Sequence, residues 1–91
     1  MKNSAIDEKQ SGIQVSLLNL KNGLTEYQDV THVKITSKTY NIIIMKDYLP
    51  LIGEVEGNVE ISKEGEIIKL DNITGYYIHK HNKFDLFIKD K

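Results

Sequence analysis

The spacing of apolar residues constrains this chain more than any other feature. From Ile13 onward, β-branched and aromatic side chains come in short runs broken every several residues by Asn, Asp, Gly or Ser, and helical periodicity is nearly absent. Ile13, Val15 and Leu17 alternate with Gln14 and Ser16, which predicts a half-buried first strand ending at a tight hairpin on Asn22-Gly23. In the next run, residues 27–36, Val33 and Ile35 share one face while His32 and Lys34 share the other. Residues 40–45 are apolar on both faces, the pattern of a strand covered by two layers or by a partner. Pro50, with its fixed φ and missing N–H, marks residues 48–52 as a crossing loop or edge segment. Val55, Val59 and Ile61 keep near-alternation across Gly57, where a turn or bulge is expected, and Lys63-Glu64-Gly65-Glu66 reads as a hairpin turn. Runs at 67–70, 73–79 and 84–89 complete about eight to ten short strands, the last two joined by the polar turn 80–83. The expected fold is all-β: a flattened barrel or sandwich over residues 13–91, preceded by a polar extension over residues 1–12.

Size and charge then narrow the function. A chain of 91 residues makes one domain that buries only about 60% of its unfolded surface, which leaves little material for a catalytic cavity beside the core. Lysine supplies all 12 basic charges against 13 acidic ones, so avid nucleic-acid binding is disfavoured, and the planar bidentate recognition typical of arginine is missing. Without cysteine there is no disulfide, no thiolate nucleophile and no Cys-type zinc site. The six glycines form neither G-x-G-x-x-G nor G-x-x-x-x-G-K-[ST], so no nucleotide cofactor is expected. Residues 1–12 are too polar for an export signal, and the longest apolar run, 42–45, is far short of a membrane span. A cytoplasmic protein that is not an enzyme and holds no cofactor or metal is expected.

Three sets of residues invite chemistry and read more simply. His79 and His81 stand two apart but straddle a predicted turn with no third ligand, which makes them solvated hairpin residues rather than a metal site. His32 has no nucleophile at a suitable spacing. Glu54, Glu56 and Glu60 alternate with Val55 and Val59 on the solvent side of one strand, a wet stripe that could meet a basic partner. The tyrosines are more informative: Tyr76 and Tyr77 are adjacent, so a regular strand turns one of them outward, and Tyr40 and Tyr48 flank the isoleucine run. Either they sit in the core with hydroxyls bonded at the rim or they contact a protein partner. Because Ile42, Ile43 and Ile44 are consecutive, something is expected to cover an outer face. The candidate partner surface comprises Tyr40, Ile42, Ile44, Tyr48, Tyr76, Tyr77 and Ile78.

The order of strands and breaks resembles the N-terminal β-sandwich domain of the epsilon subunit of F-type ATP synthases, called delta in mitochondria. Asp29-Val30, Val33-Lys34-Ile35-Thr36, the isoleucine run and Lys46 through Pro50 to Ile52 follow the family's order without a gap. Gly57-Asn58-Val59-Glu60-Ile61 resembles its Gly-x-Val-x-Ile strand, and Ile73-Thr74-Gly75 followed by Tyr77-Ile78 resembles its Val-Ser-Gly-Gly-Phe-Leu signature. The chain departs from the family at Tyr76, which replaces the second glycine, at His79, which replaces a glutamate, and at Tyr48, which replaces a histidine. The loop at 37–41 has lost the family's glycines and acid.

The resemblance implies a non-catalytic central-stalk subunit that binds the gamma subunit and rotates with it, in a complex with alpha and beta subunits. The chain would then be cytoplasmic and peripheral to the membrane through its motor. The altered loop at Ser37, Lys38, Thr39, Tyr40 and Asn41 argues against contact with the membrane ring, so the motor is either a proton-transporting ATPase or an F-like paralogue coupled to another machine, such as gliding. The family's C-terminal helical hairpin would begin after Lys91 and is not expected. A free-standing small β-barrel that binds a ligand or single-stranded nucleic acid through Tyr and Lys is the alternative.

Overall fold

The computed structural model describes residues 12–89. Six strands account for the regular structure: β1 (Ile13–Asn19), β2 (Gly23–Ser37), β3 (Asn41–Met45), β4 (Leu51–Lys63), β5 (Glu66–Lys80) and β6 (Lys83–Ile88), with no helix among the described residues. Pairing in the order β1-β6-β5-β4-β2, closed by β1 against β2, makes a five-stranded barrel, and β3 extends the sheet beyond β2. The β1–β6 pair is parallel and the other pairs are antiparallel. The all-β barrel expected from the sequence is therefore what the chain forms. The polar extension, apart from Gly12, lies outside the described residues.

The strand count is six rather than eight to ten because three strands are long and bent, and the bends at Gly57 and Asn72 read in the sequence as interruptions. β2 bends at Asp29, at φ 56°; on either side of it the strand first pairs with β1 and then with β4 and β3. β4 and β5 bend together: the register slips between Gly57 and Val59 opposite Asn72, which sits at φ 54°. The Asn72 N–H, left without a ladder partner there, donates to Asn58 Oδ1 at 2.8 Å. Two glycines of the resemblance motifs are required by close approach. A Cβ on Gly57 would run into the Thr36 carbonyl oxygen, and one on Gly75 into that of Phe87.

The turns follow local chemistry. The β1–β2 hairpin has three loop residues, 20–22, rather than a two-residue Asn-Gly turn: Gly23 takes the left-handed conformation at φ 82°, and Asn19 Oδ1 accepts from the Lys21 and Asn22 amides. The β5–β6 turn is the two-residue pair His81-Asn82, both at positive φ. Asn82 also fixes the loop that carries Pro50, since its Oδ1 accepts from the Asp47 amide and its Nδ2 donates to Asp47 Oδ1.

Alternate residues of each strand fill one core: Ile13, Val15 and Leu17 from β1, Val33 and Ile35 from β2, Val55, Val59 and Ile61 from β4, Phe84 and Leu86 from β6. Of the two coverings expected for β3, a second layer of this chain is not there among the described residues. The strand is an edge with Ile44 fully buried, Ile42 half-buried, and Ile43 and Met45 about half exposed.

Candidate partner-binding surface

Two of the seven residues expected on a partner surface are interior. Tyr77 is 2% exposed and Ile44 is fully buried, because strand alternation turns them inward beside outward-facing Tyr76 and Ile43. The Tyr77 ring stacks on Phe84 with centroids 5.4 Å apart and fills the space over Gly53, where a Cβ would stand 2.5 Å from its hydroxyl. That hydroxyl lies 3.0 Å from the Tyr40 hydroxyl, which donates to the Glu54 carbonyl. Burial first, and then the Tyr40 hydroxyl, push the Tyr77 phenol above its ordinary pKa, so it stays neutral. Tyr40 and Tyr77 thus fasten the edge of β4 that β2 has left. Tyr48 stands apart from them in the β3–β4 loop, and Ile42 packs against the core from the β3 edge.

His79 is also a correction. It is fully buried rather than solvated, because its strand register matches Leu51 on β4 and Phe84 on β6, both inward-facing positions. Its ring lies 6.3 Å from Phe84, and neither nitrogen has a hydrogen-bond partner among the described residues. His81 lies in the exposed turn, and no three His, Asp or Glu side chains converge among the described residues.

Burial holds the His79 pKa below its ordinary 6.5. The unfolded chain therefore takes up a proton, as pH falls below 6.5, that the folded chain refuses. Stability should be fully present above that pH and decline below it, by at most about 1.4 kcal/mol per pH unit. Urea unfolding at pH 7.5 and 5.5 checks this. In His79→Leu the part of the slope belonging to this side chain should vanish, and stability at pH 7.5 should rise by about 1 kcal/mol as the unpaired N–H is removed.

The surface that remains runs across the strands. Register places Tyr76 of β5 beside Phe87 of β6, Phe87 beside Leu18 of β1, and Leu18 beside Leu24 of β2, while Ile78 pairs with Ile52 of β4 one step along. All six are at least 38% exposed. They form one continuous apolar band on the outside of the barrel, the kind of patch a soluble monomer rarely leaves uncovered. Its neighbours carry both signs: Glu54 registers with Tyr76 and Asp85 with Ile78, while exposed Lys80 follows Ile78 on the same face of β5 and pairs with Lys83. Lys89 lies over the Tyr76 ring at 5.1 Å. Tyr76 and Ile78 are the two expected residues that the fold brings together here. Leu18, Leu24, Ile52 and Phe87 were missed, although the doublets Leu17-Leu18, Leu51-Ile52 and Leu86-Phe87 carry the same signal as Tyr76-Tyr77: one member of each must face out. The acidic stripe is on the surface as expected, with Glu54 and Glu56 exposed, Glu60 half-buried, and Glu56 paired to Lys38 at 3.0 Å.

Comparison with solved structures identifies this architecture elsewhere. A chain of the central stalk/c-ring assembly of the Tetrahymena thermophila mitochondrial ATP synthase superposes with a TM-score of 0.67 at 14% identity, over 86% of the present chain. The alignment spans 63% of that longer chain. At such identity the likeness establishes a shared fold. No family model and no characterised protein matches the sequence.

Proposed function

We propose that the chain is an epsilon-like, non-catalytic subunit of the central stalk of a rotary ATPase, and that it grips the gamma subunit with the apolar band Tyr76, Ile78, Phe87, Leu18, Leu24 and Ile52. The observation that carries this reading is the fold shared with a chain of a mitochondrial ATP synthase stalk assembly. It is supported by the sequence motifs, whose landmark residues have structural work in this barrel: Gly57 and Gly75 permit backbone approach, and the aromatic of the Gly-Gly-Phe signature is the core residue Tyr77.

The band suits a protein partner better than a nucleic acid. Stacking platforms for bases sit in basic grooves, whereas this band has Glu54 and Asp85 at its side. An apolar band with a rim of both charges fits a partner surface of apolar side chains with a polar rim. The cytoplasmic, motor-bound location and the company of alpha and beta subunits belong to the same proposal.

Reconstitution tests it. Added to an ATPase core of alpha, beta and gamma subunits from the same cell, the chain should bind in a fixed ratio and leave the maximal hydrolysis rate within a small factor. Failure to bind gamma-containing core, or strong inhibition relieved by ATP, would contradict the reading.

A further inference from the structure

We infer that β3 is a dimerisation edge, at which a second copy of this chain adds its own β3 antiparallel about a two-fold axis through Ile43. The backbone parity of this strand carries the inference. Ser37 N–H donates to the Tyr40 carbonyl at 2.8 Å, which makes 37 and 40 a hydrogen-bonded pair; with the register Ile35 to Ile42 and Val33 to Ile44, residues 40, 42 and 44 bond to β2. Asn41, Ile43 and Met45 therefore point their N–H and C=O groups away from β2, to the side where β3 has no neighbouring strand among the described residues. Among the described residues, only the Met45 carbonyl has another partner there, the Tyr48 amide in the following turn.

A strand that faces outward at 41, 43 and 45 is matched by its own copy. With Ile43 opposite Ile43 of the second copy, both residues exchange N–H···O=C bonds, and Asn41 lies opposite Met45 in each half. Side chains agree with this register. On the inner face half-buried Ile42 meets buried Ile44 of the other copy, and on the outer face the half-exposed Ile43 side chains meet each other beside Met45. Charge does not oppose this register, since residues 40–45 carry none.

Natural sheets protect their edges with charges, Pro or bulges, and β3 has none of these. The other unpaired edges among the described residues all carry charge: Glu26 and Asp29 on the first half of β2, Glu54 and Glu56 on the first half of β4, and Glu66, Lys69 and Asp71 on the first half of β5, where a two-fold on Lys69 would oppose like charges. The second copy is therefore assigned to β3 and not to β5. This inference does not depend on the stalk reading, because it rests on the backbone parity of β3 and not on the apolar band.

The test uses the full chain alone. Light scattering across a concentration series should show the mass rising from 10.4 kDa toward twice that value. Ile43→Pro removes an N–H that β2 does not use, so the barrel ladder is spared, and Ile43→Lys sets two charges on the axis; each should hold the chain at the monomer mass with an unchanged circular dichroism spectrum. The chain has no cysteine, so Ile43→Cys should form a disulfide dimer under mild oxidation, since opposed residues of a bonded pair lie about 5.5 Å apart at Cα, within the range a disulfide spans. Ile67→Cys on the β5 edge should not. A chain that stays monomeric throughout overturns the inference. So does a dimer that survives both Ile43→Pro and Ile43→Lys, or one that crosslinks through position 67 as readily as through 43. If both edge variants fail to fold, the cysteine pair alone decides.

Discussion

Tyr77→Ala is expected to remove about 3–5 kcal/mol of folding stability, the cost of deleting a large aromatic from a packed core. Domains of this size have only about 5–15 kcal/mol in total, so the variant loses a large share of its stability. The side chain is 2% exposed, stacks on Phe84 and stands over Gly53, so no neighbour is free to fill the vacated volume. Tyr77→Phe keeps the ring and loses only the contact with the Tyr40 hydroxyl, for about 1 kcal/mol. Urea unfolding followed by circular dichroism separates the two. An alanine variant within 1 kcal/mol of the parent would contradict the core assignment.

The second large effect belongs to the surface band. Replacing Tyr76 and Phe87 together by aspartate should leave the chain folded, since both side chains point outward at 45% and 40% exposure, and should abolish binding to gamma. Each central aromatic anchor of an interface is worth on the order of 2 kcal/mol, and the new carboxylates join Glu54 and Asp85 in a site that must be desolvated. The pair should weaken binding by at least about 1,000-fold, whereas Glu56→Ala, outside the band, should change it less than about threefold. Equal binding by a folded double variant would remove this face from the interface.

The sequence carries the strand class plainly and the strand boundaries poorly, and the reasons differ by residue. Period-two alternation at Ile13, Val15 and Leu17, or at Val33 and Ile35, reports a face directly. Gly57 and Asn72 look like breaks because glycine and polar residues usually end strands, yet here they are bends inside continuous strands, held by long-range pairing that no local pattern records. The same limit applies to the surface. A doublet such as Tyr76-Tyr77 shows that one residue faces out but not which one; that depends on Gly53 leaving room for Tyr77 from another strand. The band itself joins residues from β1, β2, β4, β5 and β6, a juxtaposition set by register alone. The burial of His79 is hidden for a related reason: it adjoins the polar residues 80–83, yet its register sets it inward between Leu51 and Phe84 from two other strands.

Affinity capture from the native cell tests the central claim most directly. A tagged full-length chain, recovered under mild conditions, should bring with it the alpha, beta and gamma chains of one rotary ATPase in fixed proportion. Capture of the chain without a gamma subunit, from cells in which that motor is assembled, would contradict the assignment to a central stalk.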